Sequence, residues 1–227
     1  MQSPSPKLIF IDGPTGIGKD YFIDKLSSLL EHNNPSKVIS TIRATDIVLN
    51  SYTETENRKY SYYTTDETKR NSIFMGHVNL LCELNKQLFL TKETDVILVN
   101  RSFLSFLIYN VYSALASSSG NNYTDRFLSA QLNDYIETYG HLYRTLFNDK
   151  TTLFINLGSQ QNTLDEYVNL ILSRIKSRED DKTVDVNWIK VLFEAYETPD
   201  SRFIENFSYY EKIDSNGYNY IFNKYFT

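Results

Sequence analysis

The feature that most constrains this chain lies between Lys7 and Asp20, where the sequence reads KLIFIDGPTGIGKD. Leu8, Ile9, Phe10 and Ile11 form a short apolar run bounded by a glycine turn, the pattern of a strand buried on both faces. Gly13, Gly18 and Lys19 then reproduce the spacing G-x-x-x-x-G-K, with Pro14, Thr15, Gly16 and Ile17 between the glycines. In that spacing unhindered backbone N–H groups wrap an anion and the lysine reaches its outer phosphates. Phe22, Ile23, Leu26, Leu29 and Leu30 follow at helical spacing, so the loop opens onto a helix N-terminus that favours negative charge.

Asp20 departs from the motif, because Ser or Thr normally stands there and offers a hydroxyl to magnesium. A carboxylate is itself a hard oxygen donor for magnesium, although its charge lies close to phosphates that repel it. It equally suits the first turn of a helix, and both readings stay open.

With 227 residues, the chain is long enough for one sizeable α/β domain over 1–227, with 1–6 as a flexible tail. Its net charge of -5 argues against a broad nucleic-acid surface. The single cysteine, Cys82, has apolar neighbours and reads as a buried structural thiol. Met1 to Pro6 lacks the apolar centre of a signal peptide, and no later run is long enough to span a bilayer. A soluble cytoplasmic protein is the expectation.

Further along, Lys37 to Ile42 reads as a second strand, with Arg43, Thr45 and Asp46 just past its carboxyl end. Open α/β sheets bind ligands at that edge, so Arg43 and Asp46 are candidates to touch a substrate, and Asp46 is equally suited to cap a helix. A tyrosine-rich polar region from Ser51 to Lys69 leads into a helix from about Glu67 to Leu90, with Phe74, Val78, Leu81, Leu84 and Leu88 on its buried face. His77 lies near that face, as a packed core residue or a ligand contact.

Asp95 to Val99 reads as the third strand and runs directly into Asn100, Arg101 and Ser102. A guanidinium at that edge neutralises phosphates through planar bidentate contacts, or is a plain surface residue. Helices are expected over Phe103 to Leu115 and Asp125 to Leu146, a fourth strand over Thr151 to Leu157, and a helix over Thr163 to Ser177. Arg174 and Arg178, four residues apart, share one face of that helix just before Glu179-Asp180-Asp181-Lys182. They suit a phosphate clamp on a lid over about 174–186, or a solvated helix end. Val186 to Tyr196 restarts a helix, and Tyr218 to Phe222 resembles a last strand. Five strands with intervening helices indicate a doubly wound, mostly parallel sheet.

Several separated stretches resemble the deoxynucleoside kinase family, which shares its fold with thymidylate kinases. IDGPTGIGKD is similar to the phosphate loop and DVILVNRSF to the strand followed by Glu/Asp-Arg-Ser. YGHLYRTLFNDKTTLFINL resembles the helix, short link and next strand, and SRIKSREDDKTVDVNWIKVLFEAYE the arginine-rich lid and following helix. The resemblance covers nearly the whole chain in order. It implies a three-layer P-loop kinase fold and transfer of the terminal phosphate of ATP, with magnesium, to the 5′-hydroxyl of a deoxynucleoside. It also implies a homodimer built from long helices.

In that family reading Lys19 stabilises the transferring phosphate, Arg101 positions phosphates or substrate oxygen, and Arg174 and Arg178 close over the donor. Such chemistry needs positioning and charge neutralisation more than covalent catalysis. The sequence departs from the family at Asp20, at Asn100 in place of the acid before Arg-Ser, and in lacking the Glu-Pro that follows the second strand. Asp46 is then the candidate base, Asp20 the candidate metal ligand, and His77 or Asn79 takes the place of the glutamine that reads the base. Arg43 keeps open a nucleoside-monophosphate acceptor, and Asn100 keeps open a nucleotide-binding protein with a degenerate kinase site.

Overall fold

The computed structural model describes residues 6–50, 67–90, 94–112, 114, 122–147, 151–158, 163–176 and 186–227. The apolar run at the start of the chain forms β1, Leu8–Asp12, with every residue buried. Leu8 and Phe10 enter the core on one side of the sheet, Ile9 and Ile11 the core on the other. A strand's period of two imposes that split, and it explains why the run is apolar at consecutive positions.

Four more strands follow: β2 (Ile39–Arg43), β3 (Val96–Asn100), β4 (Thr152–Leu157) and β5 (Tyr209–Ile213). They form one five-stranded sheet in the order β2-β3-β1-β4-β5, with every neighbouring pair parallel. The chain leaves β1 toward β2 and leaves β3 toward β4, so these two neighbours border the place where the winding reverses. In open α/β sheets, ligands bind outside the carboxyl ends of the strands at such a reversal.

Helices cover both faces and make three layers. On one face lie α2 (Ala44–Asn50), α3 (Glu67–Asn85), α4 (Phe103–Phe106), α5 (Asn122–Phe147) and the short α8 (Ser201–Ile204). On the other lie α1 (Lys19–Asn33), α6 (Leu164–Lys176) and α9 (Tyr218–Tyr225). The remaining helix, α7 (Val186–Glu197), serves both cores, with Ile189 in one and Leu192 and Tyr196 in the other. Two helices change winding: α3 continues as a π-helical segment, Lys86–Leu90, and α4 as another, Leu107–Tyr112.

Local chemistry accounts for several boundaries. Ser102 Oγ accepts the Leu104 N–H at 3.0 Å and starts α4. Thr163 and Glu166 exchange hydrogen bonds as a capping box, the Thr163 N–H donating to Glu166 Oε2 at 2.7 Å and the Glu166 N–H to Thr163 Oγ1 at 3.3 Å. The stripe on α5 faces the core through Leu132, Tyr135, Ile136, Tyr139, Tyr143 and Phe147.

The doubly wound, mostly parallel sheet expected from the sequence is present, and it is parallel throughout. Two expectations need correction. Tyr218 to Phe222 is not a strand but the start of α9, whose Ile221, Phe222 and Tyr225 turn one helical face to the core beside α1. The fifth strand lies earlier, at Tyr209–Ile213, half-buried at the sheet edge. Cys82 is exposed, because Leu80, Leu81 and Leu84 take the inward positions of α3. Of the expected tail over 1–6, Pro6 is described and buried and residues 1–5 lie outside the described residues, as do most of the tyrosine-rich region and residues 177–185 of the expected lid. Among the described residues, no helix is long and apolar enough to cross a membrane.

Candidate functional site

At the carboxyl end of β1 the chain makes the tight loop from Gly13 to Gly18. Gly13 has φ +144°, and a Cβ there would lie 2.4 Å from the Leu157 carbonyl oxygen, so the position demands glycine twice over. Gly18, at φ +104°, precedes α1, and no side chain caps the helix start. Backbone N–H groups at the first turn are thereby left for an external acceptor. From α6, the Tyr167 hydroxyl donates to the Thr15 carbonyl at 3.0 Å and pins the top of the loop.

Lys19 is buried and folds back over this loop, donating from Nζ to the carbonyls of Gly13 and Pro14, both at 2.8 Å. Burial, reinforced by the nearby Arg101 cation, lowers its pKa from 10.5 to about 7, against the opposing pull of Asp12 and Asp20. An arriving anion would reverse that imbalance. The loop therefore holds a lysine whose charge is disfavoured by burial and by Arg101 more than Asp12 and Asp20 favour it.

Asp12, fully buried at the end of β1, is the hub beneath the loop. Its Oδ1 accepts from the Gly13 N–H at 2.8 Å, Ser105 Oγ at 2.7 Å and the Tyr196 hydroxyl at 3.0 Å. Its Oδ2 accepts from Ser102 Oγ at 2.6 Å, the Ser102 N–H at 2.9 Å and the Ser105 N–H at 3.2 Å. A carboxylate so fully bonded is fixed and occupied, which makes it a scaffold rather than a base.

Asn100 ends β3, in register with Ile11 on one side and Arg43 on the other. Its Nδ2 donates to Asp20 Oδ1 at 2.7 Å, joining two of the three positions at which the sequence departs from the pattern it resembles. Arg101 follows in a left-handed conformation, φ 74°, which is strained for a residue with a side chain. Its guanidinium donates to Ser105 Oγ at 3.2 Å and lies 5.2 Å from the centre of the Tyr109 ring. Burial works against that charge, but Tyr109, Tyr196 and Asp12 outweigh it and hold the pKa above the ordinary value.

The remaining candidates are distributed more widely. Arg43 and Asp46 are both exposed, Arg43 at the end of β2 and Asp46 in the first turn of α2. His77 is fully buried, with ring centres 5.5 Å from Phe103 and 5.8 Å from Phe106. Burial lowers its pKa from 6.5 to about 3, so it is neutral in the core, as a packed histidine is. Asn79 is exposed on α3, beside an open groove lined by Thr68, Asn71, Ser72 and Met75. The backbone of Arg174 lies near the end of α6, while its side chain and the whole of Arg178 lie outside the described residues.

The structure thus gathers Gly13 to Asp20, Asn100 and Arg101 at one edge. Asp12, Ser102, Ser105, Tyr109 and Tyr196 join them; Ser102 was legible only as the serine of the Arg-Ser pair and Asp12 only as a charged residue closing an apolar strand, while Ser105, Tyr109 and Tyr196 had no assigned role.

Among the described residues, no group of three or more His, Cys, Asp or Glu side chains comes together to hold a metal ion. A site shared with phosphates needs fewer protein donors, since magnesium retains water and takes phosphate oxygens. Asp20 is exposed, and Asn100 orients one of its oxygens while the second faces no donor among the described residues. A hard divalent cation fits that donor. Compared with known proteins, the chain matches no family model and no curated protein.

Proposed function

We propose that this protein is a phosphotransferase, moving the terminal phosphate of ATP, with magnesium, to the 5′-hydroxyl of a deoxynucleoside. One observation carries the reading: a buried lysine, Lys19, and a half-buried guanidinium, Arg101, meet at the glycine loop and the uncapped helix start that follows it, near enough for Arg101 to depress the lysine's pKa. A lysine that takes up its charge as an anion arrives, beside a permanently charged guanidinium, is what a polyphosphate needs and what a transferring phosphoryl group uses.

In this reading the N–H groups of Gly13 to Lys19 hold the donor phosphates. Lys19 exchanges the Gly13 and Pro14 carbonyls for phosphate oxygens and takes full charge as it does so. Arg101 adds a planar donor pair from β3, fixed in advance by Ser105 and Tyr109. Asp20 would hold magnesium through the oxygen that Asn100 leaves open, and the ion, when bound there, would supply charge neutralisation on the phosphates. Arg174 and Arg178 close from the lid side, and Asp46 receives the acceptor's proton.

Arg43 favours a second acceptor. It is exposed and in register with Asn100, at the same sheet edge as the glycine loop, where it would meet a phosphate already on the substrate. That arrangement suits a deoxynucleoside monophosphate. Incubation with ATP and magnesium against matched deoxynucleosides and monophosphates, with products read by mass, separates the two. Phosphate on deoxynucleosides supports the first reading, phosphate on monophosphates alone the second, and ATP binding without product rejects both in favour of a nucleotide-binding protein.

A further inference from the structure

We infer that Ser105 and Tyr109 are positioning residues for nucleotide binding, acting through the guanidinium of Arg101; this rests on the phosphate-binding reading above. They stand four residues apart and meet the same side chain, one by a hydrogen bond and the other with its ring. Neither is solvent-exposed: Ser105 is fully buried and Tyr109 nearly so.

The geometry gives Ser105 a purpose that helix packing does not require. Its one hydroxyl hydrogen goes to Asp12 Oδ1 at 2.7 Å, so its lone pairs are left to accept. Arg101 Nη1 donates to them at 3.2 Å, while the Tyr196 hydroxyl, 2.8 Å from Ser105 Oγ, has one hydrogen to divide between that oxygen and Asp12 Oδ1. Because Asp12 Oδ1 also accepts the Gly13 N–H at 2.8 Å, Ser105 ties the guanidinium to the strand end that carries the glycine loop. Lys19 and Arg101 are thereby set relative to each other through Asp12.

Tyr109 supplies the second anchor from the π-helical segment Leu107–Tyr112. Wider winding changes where the residues within it project around the helix axis, and such segments recur at functional sites. Here the shifted ring lies 5.2 Å from the guanidinium carbon. The strained φ of 74° at Arg101 turns the side chain toward these anchors just after the Arg101 N–H has donated to the Ile11 carbonyl at 2.9 Å. Two anchors and a strained backbone fix one orientation, so phosphate binding need not supply that order.

The test is a double-mutant cycle on nucleotide affinity. Dissociation constants for a fluorescent ATP analogue are measured for the wild type, Ser105→Ala, Arg101→Ala and the double variant, far below every unfolding transition. Ser105→Ala is expected to weaken binding about tenfold in the wild-type background and to have no effect once Arg101 is gone. Tyr109→Leu is expected to behave likewise, with Tyr109→Phe, which keeps the ring, losing less; this second cycle decides the matter if Ser105→Ala does not fold. Equal losses with and without Arg101 would show a merely structural role and overturn the inference. A wild type that binds no nucleotide would overturn the phosphate-binding reading along with it.

Discussion

The Asn100 amide donates to Asp20 Oδ1 at 2.7 Å, linking the end of β3 to the first turn of α1. Relative to the pattern the chain resembles, the carboxylate and the neutral polar group have changed places: the loop position carries the acid and the strand position the amide. The pair keeps one negative charge at the site. Its orientation leaves the remaining Asp20 oxygen for a cation.

This exchange predicts how the site responds to repair. Asp20→Ser is expected to weaken Mn2+ binding in the presence of nucleotide at least about tenfold, a carboxylate ligand having been lost. Asn100→Asp sets two carboxylates side by side, which raises the pKa of one and lowers stability without a cation. The reciprocal variant, Asp20→Ser with Asn100→Asp, is expected to recover binding to within a few-fold. Calorimetric or paramagnetic titration of Mn2+ checks the series, and unchanged affinity in Asp20→Ser would remove Asp20 as a ligand.

Lys19 gives a prediction about stability against pH. Its pKa is about 7 when folded and 10.5 when unfolded, so between those values the unfolded chain binds more protons. Stability contributed by this group is therefore present above pH 10.5 and lost as pH falls through 7. The stability difference between the wild type and Lys19→Met should rise with pH across that window, by at most about 1.4 kcal/mol per pH unit. Denaturant titrations of both proteins at matched pH check it; a flat difference contradicts it.

His77 predicts acid sensitivity. Its folded pKa, about 3, lies below the ordinary 6.5, so stability is present above pH 6.5 and lost as pH falls toward 3. His77→Leu should abolish this part of the acid loss while keeping the core apolar. An NMR resonance of the His77 imidazole, identified by its loss in His77→Leu, that titrated near pH 6.5 in the folded protein would contradict the assignment.

Gly13→Ala tests the loop itself. The added Cβ meets a backbone carbonyl at 2.4 Å and a conformation closed to L residues, so a loss of about 3 kcal/mol or more is expected. Stability close to the wild type in denaturant titration would mean that β1 and β4 move apart more readily than their pairing suggests.

How much of this was legible in the sequence depended on how local each signal was. The strand, glycine loop and first helix were readable because their signals fall within one stretch, Leu8 to Leu30. The long helices also declared themselves through buried stripes such as Leu132, Tyr135, Ile136 and Tyr139. Tyr209 to Ile213 did not, since an edge strand with half-buried Tyr, Glu and Lys has little alternation to read. The aromatic run Tyr218 to Phe222 reads as strand by propensity and becomes helix through packing beside α1.

The site followed the same rule. Lys19 and Arg101 were marked by motif and strand end, but Ser105, Tyr109 and Tyr196 reach Asp12 or Arg101 only because α4 and α7 fold over the ends of β1 and β3. Sequence separations of 93 between Ser105 and Asp12 and of 184 between Tyr196 and Asp12 left nothing to read locally. His77 stayed open in the sequence because a histidine near a core face gives the same pattern whether it packs or binds; the structure shows it buried among Phe103 and Phe106.

The most direct test of the account follows the terminal phosphate of isotopically labelled ATP, with magnesium, into a mixture of deoxynucleosides, beside Lys19→Met and Arg101→Ala controls. The account predicts label on the 5′-oxygen of a deoxynucleoside for the wild type, with both variants reduced at least about a hundredfold. Absence of labelled product from the wild type while it binds ATP would contradict it.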